Sequence, residues 1–264
     1  MANYVSDVAI VLRVTDFSET SQIVVMLTRE HGVVPMIAKG SKRASKKGVV
    51  SGPLDLLTAG EVVFVPAKQT AELGTLAEWE LTDHRKVLRG NLAALNAALV
   101  AAEVTLLLQH PHDPHPELFD ECEAAFELLG TEQRARGLVA YVKSALISAG
   151  YGPQLEACVV CGKELGLAGW EGGGGGGAEV KFNARAGGII CGECVQTGPT
   201  MLVPAKIVMA LARLPGPQEL LASPPERAGD MGALRKAMAL LLAQVTGVTD
   251  RVLRTAYVVP SVFV

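Results

Sequence analysis

Over residues 1–81, apolar and polar positions alternate in the manner of strands. "DVAIVLRVTDF" and "SQIVVMLTRE" are rich in Val and Ile and are separated by "SET", and His31-Gly32 then turns the chain into "VVPMIAKG". After a polar interval come "PLDLLTAGEVVFVPA" and "AELGTLAEWEL". Five strands in so short a span predict a small all-β unit, of which the OB-fold barrel is the common example. An SH3-like barrel or an open sheet gives the same alternation.

The period then changes. From about Asp83, "DHRKVLRGNLAALNAALVAAEVTLLLQ" reads as one long helix with Asp83 as its cap. "HPHDPHPE" stops it, because proline removes a donor and fixes φ. "ELFDECEAAFELLG" and "TEQRARGLVAYVKSALISAG" are helical, with Leu138, Tyr141, Val142, Ala145 and Leu146 on one face of the second. Helical spacing resumes in "PAKIVMALARLP", where Pro204 suits a first turn, and in "GALRKAMALLLAQVTG". "VTDRVLRTAYVV" fits neither period. The fold class is α+β: a barrel over 1–81, a first helical part over 82–155, an insert over 156–197 and a second helical part over 198–264.

Composition narrows the partners. The chain of 264 residues is 49% hydrophobic and carries a formal charge of -3, so it is no polycation. Nucleic-acid contact then rests on a local patch and not on overall charge. The N-terminus lacks a charged-then-apolar leader, and the longest apolar run is broken by Asn96 and Glu103. The expected compartment is the reducing cytoplasm, where clustered cysteines point to metal before disulfides.

Cys158, Cys161, Cys191 and Cys194 form two C-x-x-C pairs, each with a glycine (Gly162, Gly192) beside it to relax the turn. Two residues between cysteines let one tight turn aim both sulfurs at one ion, and four thiolates suit a closed, structural Zn²⁺ site. A disulfide within each pair is strained, a thioredoxin-like redox pair needs a βαβ context absent here, and cysteines that hold no metal are the remaining alternative. The interval between pairs exceeds the usual roughly 15–20 residues. The run Gly172–Gly177 accounts for the excess as a loop outside the coordination shell. Each doubling of a loop costs only about 0.6 kcal/mol. Structural zinc contributes about 10–16 kcal/mol in small peptides, so the metal dominates. Cys122 lies in a helical pattern and reads as a small core residue.

"KGSKRASKKG", between the third and fourth strands, holds Lys39, Lys42, Arg43, Lys46 and Lys47 with no acid among them. On an OB-type barrel such a loop reads as a phosphate-binding element, helped by stacking rings, and the alternative is a solvated loop whose lysines serve solubility. Tyr4, Phe17, Phe64 and Trp79 are the rings of this part, and some must be core. Arg85, Lys86 and Arg89 either extend the patch or open a solvated helix. His110, His112, His115 and Asp113 are interleaved with prolines and read as a surface connector. No nucleophile–base constellation or nucleotide-binding motif occurs, so the expectation is a protein that is not an enzyme.

"AIVLRVTDFSETSQIVVMLTREHG" followed by "AKGSKR", and later "CVVCGKE…FNARAGGIICGEC", resembles the RecO family of bacterial recombination mediators. The resemblance runs through most of the chain and weakens after Gly247. It implies an OB-fold domain and a helical domain carrying the zinc insert, in a cytoplasmic, nucleoid-associated protein. It also implies binding of single- and double-stranded DNA, strand annealing, partnership with RecR, contact with single-stranded-DNA-binding protein, and help in loading RecA. By position, Lys39, Lys42, Arg43, Lys46 and Lys47 map onto the family's DNA-binding face, and the four cysteines onto its zinc ligands. The competing readings are an RNA-binding or translation-linked OB protein with a zinc ribbon, and a purely structural adaptor.

Overall fold

A computed structural model describes residues 3–43, 52–67, 72–165, 179–195, 198–223 and 230–263. The chain forms two compact units, Met1–Leu92 with Gln109–Asp120, and Ala93–Leu108 with Glu121–Val264.

The first unit is a closed barrel of five strands: β1 (Val5–Asp16), β2 (Gln22–Thr28), β3 (Gly32–Ala38), β4 (Ala59–Val65) and β5 (Gly74–Asp83). The strands close in the order β1-β2-β3-β5-β4, with β3 and β5 parallel and all other neighbours antiparallel. Closure and this order settle the choice among barrels in favour of the OB-like one. The alternation read from the sequence sends Val24, Met26, Val34, Met36, Val62, Phe64, Leu76 and Trp79 into the barrel. Closing the sheet removes its free edges, which would otherwise template aggregation. The connector after the helical excursion returns to this unit, where Pro111 bridges Val33. Gly32 permits the approach: its φ is 68°, and a Cβ there would lie 2.1 Å from the Asp113 carbonyl oxygen.

One expectation is corrected here. The long helix from Asp83 is broken. Asp83 ends β5, and its Oδ1 accepts from the Arg85 N–H at 2.7 Å. Arg85 then takes a left-handed turn into a single helical turn, α1 (Lys86–Arg89), which stops at Gly90. The 17-residue α2 (Leu92–Leu108) starts afresh. Asp83 thus satisfies a turn donor and caps no helix.

The second unit packs α2 with α3 (Pro116–Leu129, which starts in the first unit), α4 (Arg134–Ser148), α5 (Ala205–Arg213), α6 (Pro217–Ala222) and α7 (Met231–Thr249). The α4 face predicted from spacing is fully buried, and so are Val139 and Ala140 beside it. Tyr141 on α4 meets Thr105 on α2 through a buried hydroxyl pair at 2.6 Å. Cys122 is buried within α3, as its pattern indicated. Between α4 and α5 lies a small antiparallel sheet, β6 (Glu179–Asn183), β7 (Gly188–Ile190) and β8 (Thr200–Pro204), ordered β7-β6-β8. Pro204 precedes α5 as its cap and does not sit in its first turn. The ambiguous tail is a 3-10 helix (Arg254–Val258) leading into α8 (Val259–Val262). Among the described residues no helix is long and apolar enough to cross a membrane.

Candidate metal centre and nucleic-acid interface

The insert brings its cysteines together through its own backbone. Gly162 donates to the Cys158 carbonyl at 2.8 Å, and Cys158 N–H donates to Lys163 at 2.9 Å, closing the first turn. Gly162 has φ 73°, so the expected glycine freedom is used there. At Gly192 it is not, because that residue has no positive φ. Val159 N–H donates to Ile189 and Ile189 N–H to Gln154, which lace the first turn to β7. β7 runs directly into Cys191 and the second turn. Lys163 and Glu193 join the two turns by an ion pair of 3.1 Å.

The four Sγ atoms lie within 4.8 Å of one another. Cys161 and Cys191 Sγ are 3.8 Å apart. A tetrahedron of sulfurs around Zn²⁺ at ~2.3 Å has an edge of about 3.8 Å, so the donor set fits such an ion. Burial pushes the Cys158 thiol up. The N–H groups of Cys191, Cys161 and Val160 outweigh it and bring that thiol to about 6. Cys194 is pushed up to about 12 by the thiols of Cys191 and Cys161. Crowding of the four sulfurs therefore opposes full deprotonation, and a dication seated among them would favour the thiolates. The glycine run Gly172–Gly177 lies outside the described residues. Among the described residues no histidine joins a metal-competent cluster. His115 pairs only with Asp113, at 3.4 Å.

The basic loop leaves the barrel at the end of β3. Gln22, buried in β2, holds both of its ends. Its Oε1 accepts from the Ser41 hydroxyl and from the Leu54 N–H, each at 2.9 Å, and its Nε2 donates to the Leu54 carbonyl at 3.3 Å. Lys42 N–H donates to the Thr20 carbonyl, and Gly40 N–H to the Ser21 hydroxyl, so the loop stem sits against the β1–β2 turn. Lys39 and Arg43 are exposed there. Lys42 is half-buried and committed to Asp16 at 2.6 Å. Lys46 and Lys47 lie outside the described residues.

The barrel surface beside this stem carries apolar and cationic side chains, with the exposed acids Asp16 and Glu19 at the β1–β2 turn. Ile23 faces Ile37 and Val25 faces Pro35 across β2–β3, all half-buried. Arg13, exposed on β1 opposite Val25, extends the cations onto the sheet. Of the rings, Phe17 (59% exposed) and Tyr4 (63% exposed) are accessible, whereas Phe64 and Trp79 are core. The β4–β5 surface differs. Glu61, Glu78 and Glu80 are exposed there, with Glu61 directly opposite Glu80. Of the charges after β5, Lys86 is exposed, while two arginines are committed within the unit. Arg85 is buried and paired with Asp83 at 3.1 Å. Arg89 holds Asp55 at 3.0 Å and the Leu56 carbonyl at 2.7 Å. Sequence reasoning missed Arg13 and Gln22, although each is a polar interruption of a Val/Ile strand.

Comparison with known proteins covers both units. The N-terminal model of recombination protein O matches residues 1–85, and its C-terminal model matches residues 89–225. The DNA repair protein RecO of Rhodopirellula baltica is 34% identical over 187 residues, 70% of this chain and 65% of its own length. That of a Synechococcus species is 31% identical over 263 residues, 96% of this chain and 83% of its own. That of Anaeromyxobacter dehalogenans is 34% identical over 208 residues, 78% of this chain and 76% of its own.

Proposed function

Because this chain belongs to the recombination protein O family of DNA repair proteins, we propose that it is a DNA-binding mediator that brings complementary strands together without making or breaking a bond. The observation that carries the reading is the segregation on the barrel. Exposed Lys39, Arg43 and Arg13 and the accessible Phe17 ring border the β1–β2–β3 side, where Asp16 is taken up by Lys42 and Glu19 is exposed at the turn, while Glu61, Glu78 and Glu80 occupy the β4–β5 side. Two polyanions repel one another, and a cationic surface that neutralises phosphates lowers that barrier. The carboxylates of the β4–β5 side repel phosphates, which favours a strand path over β1–β3.

The reading includes partnership with RecR, contact with single-stranded-DNA-binding protein and assistance in loading RecA. It also assigns zinc to the four cysteines, as a staple that closes the insert, with no open coordination position for catalysis.

The test is the salt dependence of oligonucleotide binding. Each phosphate contact adds roughly 0.7 to the log–log slope for single strands. Replacing Lys39, Lys42, Arg43, Lys46 and Lys47 with Ala flattens that slope and slows annealing of DNA coated with single-stranded-DNA-binding protein. An unchanged slope removes the loop from the interface. RNA outcompeting single-stranded DNA at equal length moves the protein to the RNA-binding reading. For the metal, elemental analysis of reduced protein yields one zinc per chain, and its absence overturns the assignment.

A further inference from the structure

The segment after α7 is tied to its unit by hydrogen bonds and buried side chains, yet presents its largest side chain to solvent. The Glu103 carboxylate, on α2, accepts from the Arg254 N–H at 2.7 Å, the Thr255 N–H at 2.7 Å and the Thr255 hydroxyl at 2.6 Å. Leu253, Val262 and Phe263 are buried. Arg235 donates to the Phe263 carbonyl at 2.8 Å, and Asn96 to the Ser261 hydroxyl at 2.9 Å. Between its anchors Tyr257 is 83% exposed, the most exposed aromatic ring among the described residues.

The exposed charges next to that ring along the chain are cations, while the Glu103 carboxylate beneath the segment is taken up by its N–H and hydroxyl donors. Arg254 and Tyr257 stand three residues apart in the 3-10 helix, where positions i and i+3 eclipse, so they share a face. Arg251 is exposed just before them, and no acid occurs from Arg251 to Phe263. The preceding Asp250 is paired with Arg185 at 3.6 Å. An accessible ring beside an accessible guanidinium, on a support that costs no further ordering, is the minimal element for one nucleotide of a single strand: the base stacks and the phosphate pairs. The exposed apolar neighbour Val252 widens the contact for a base or sugar.

We propose that Arg254 and Tyr257, supported by Glu103, form a second contact for single-stranded nucleic acid, separate from the barrel. The proposal rests on the annealing function above. Annealing needs two strands held at once, and a chain with one strand path per barrel gains from another on the helical unit.

The test uses the full-length chain and fluorescein-labelled oligothymidylate. Tyr257→Ala, in a side chain too exposed to support the fold, weakens binding of a second oligonucleotide at least about fivefold, while Tyr257→Phe retains it. Arg254→Ala lowers the salt slope by roughly 0.7. Photocrosslinking with bromodeoxyuridine-substituted strands maps to Tyr257. A Tyr257→Ala chain with unaltered stoichiometry, affinity and annealing rate, and no crosslink at this residue, overturns the proposal. If in the same assay the five-cation variant still loses binding, the barrel reading stands without it. If the unaltered chain binds no oligonucleotide, both fall.

Discussion

Lys42 and Arg43 are adjacent in sequence and differ in their surroundings. Lys42 already holds Asp16, whereas Arg43 is exposed. A phosphate that recruits Lys42 must displace a carboxylate, so Lys42→Ala reduces oligonucleotide affinity less than Arg43→Ala. Single-variant binding at low salt checks this. On the opposite surface, Glu61 and Glu80 face one another as like charges across β4–β5. Such a pair destabilises a sheet, so Glu80→Gln raises stability by about 0.2–1 kcal/mol in urea titration. It also raises non-specific DNA binding. These distinctions were only partly legible beforehand. The run of cations around Lys42 is plain in the sequence, but Asp16 lies on another strand, and no local pattern announces that it neutralises one of them. The same holds for the rings. Phe17 and Phe64 are equivalent as letters, and only barrel closure assigns one to solvent and the other to the core.

At the scale of elements, α5 depends on a residue from α4. The Lys143 ammonium donates to the carbonyls of Leu211 at 2.9 Å, Ala212 at 3.2 Å and Leu214 at 2.7 Å, filling the role of a C-terminal cap. Lys143→Met leaves those acceptors without this donor and lowers stability by about 1–3 kcal/mol, read from the urea midpoint. Burial lowers the Lys143 pKa below 10.5. Between that lowered value and 10.5 the unfolded chain binds more protons than the folded one, so this group makes stability rise with pH. The Met variant lacks that rise. Elements with strong periodicity, α4 and α7, were readable from spacing, as were the cysteine turns, whose chemistry is local. The late start of the helical part was not. It depends on Asp83 being drawn into β5 by pairing with Ala59, a tertiary demand that overrides the helical pattern around it, whereas the break between α1 and α2 falls at Gly90.

The whole molecule divides its labour between units with separate cores. Trp79 belongs to the barrel core, while the cysteines belong to the other unit. In a Trp170→Phe background, chelating the metal therefore leaves Trp79 emission at its buried wavelength, while proteolysis within the insert accelerates. A red shift of Trp79 on chelation shows instead that the staple supports both units. The order of parts along the chain was visible from the change of hydrophobic period. The return of Gln109–Asp120 to the first unit was not, since it depends on the close approach of Asp113 to Gly32.

Gln22 gives the barrel an engineering property. One buried amide fastens Ser41 on the outgoing side and Leu54 on the incoming side, so the intervening stretch is a cassette plugged into a constant socket. Grafting a foreign sequence between those two contacts changes what the rim recognises while the five strands keep their register.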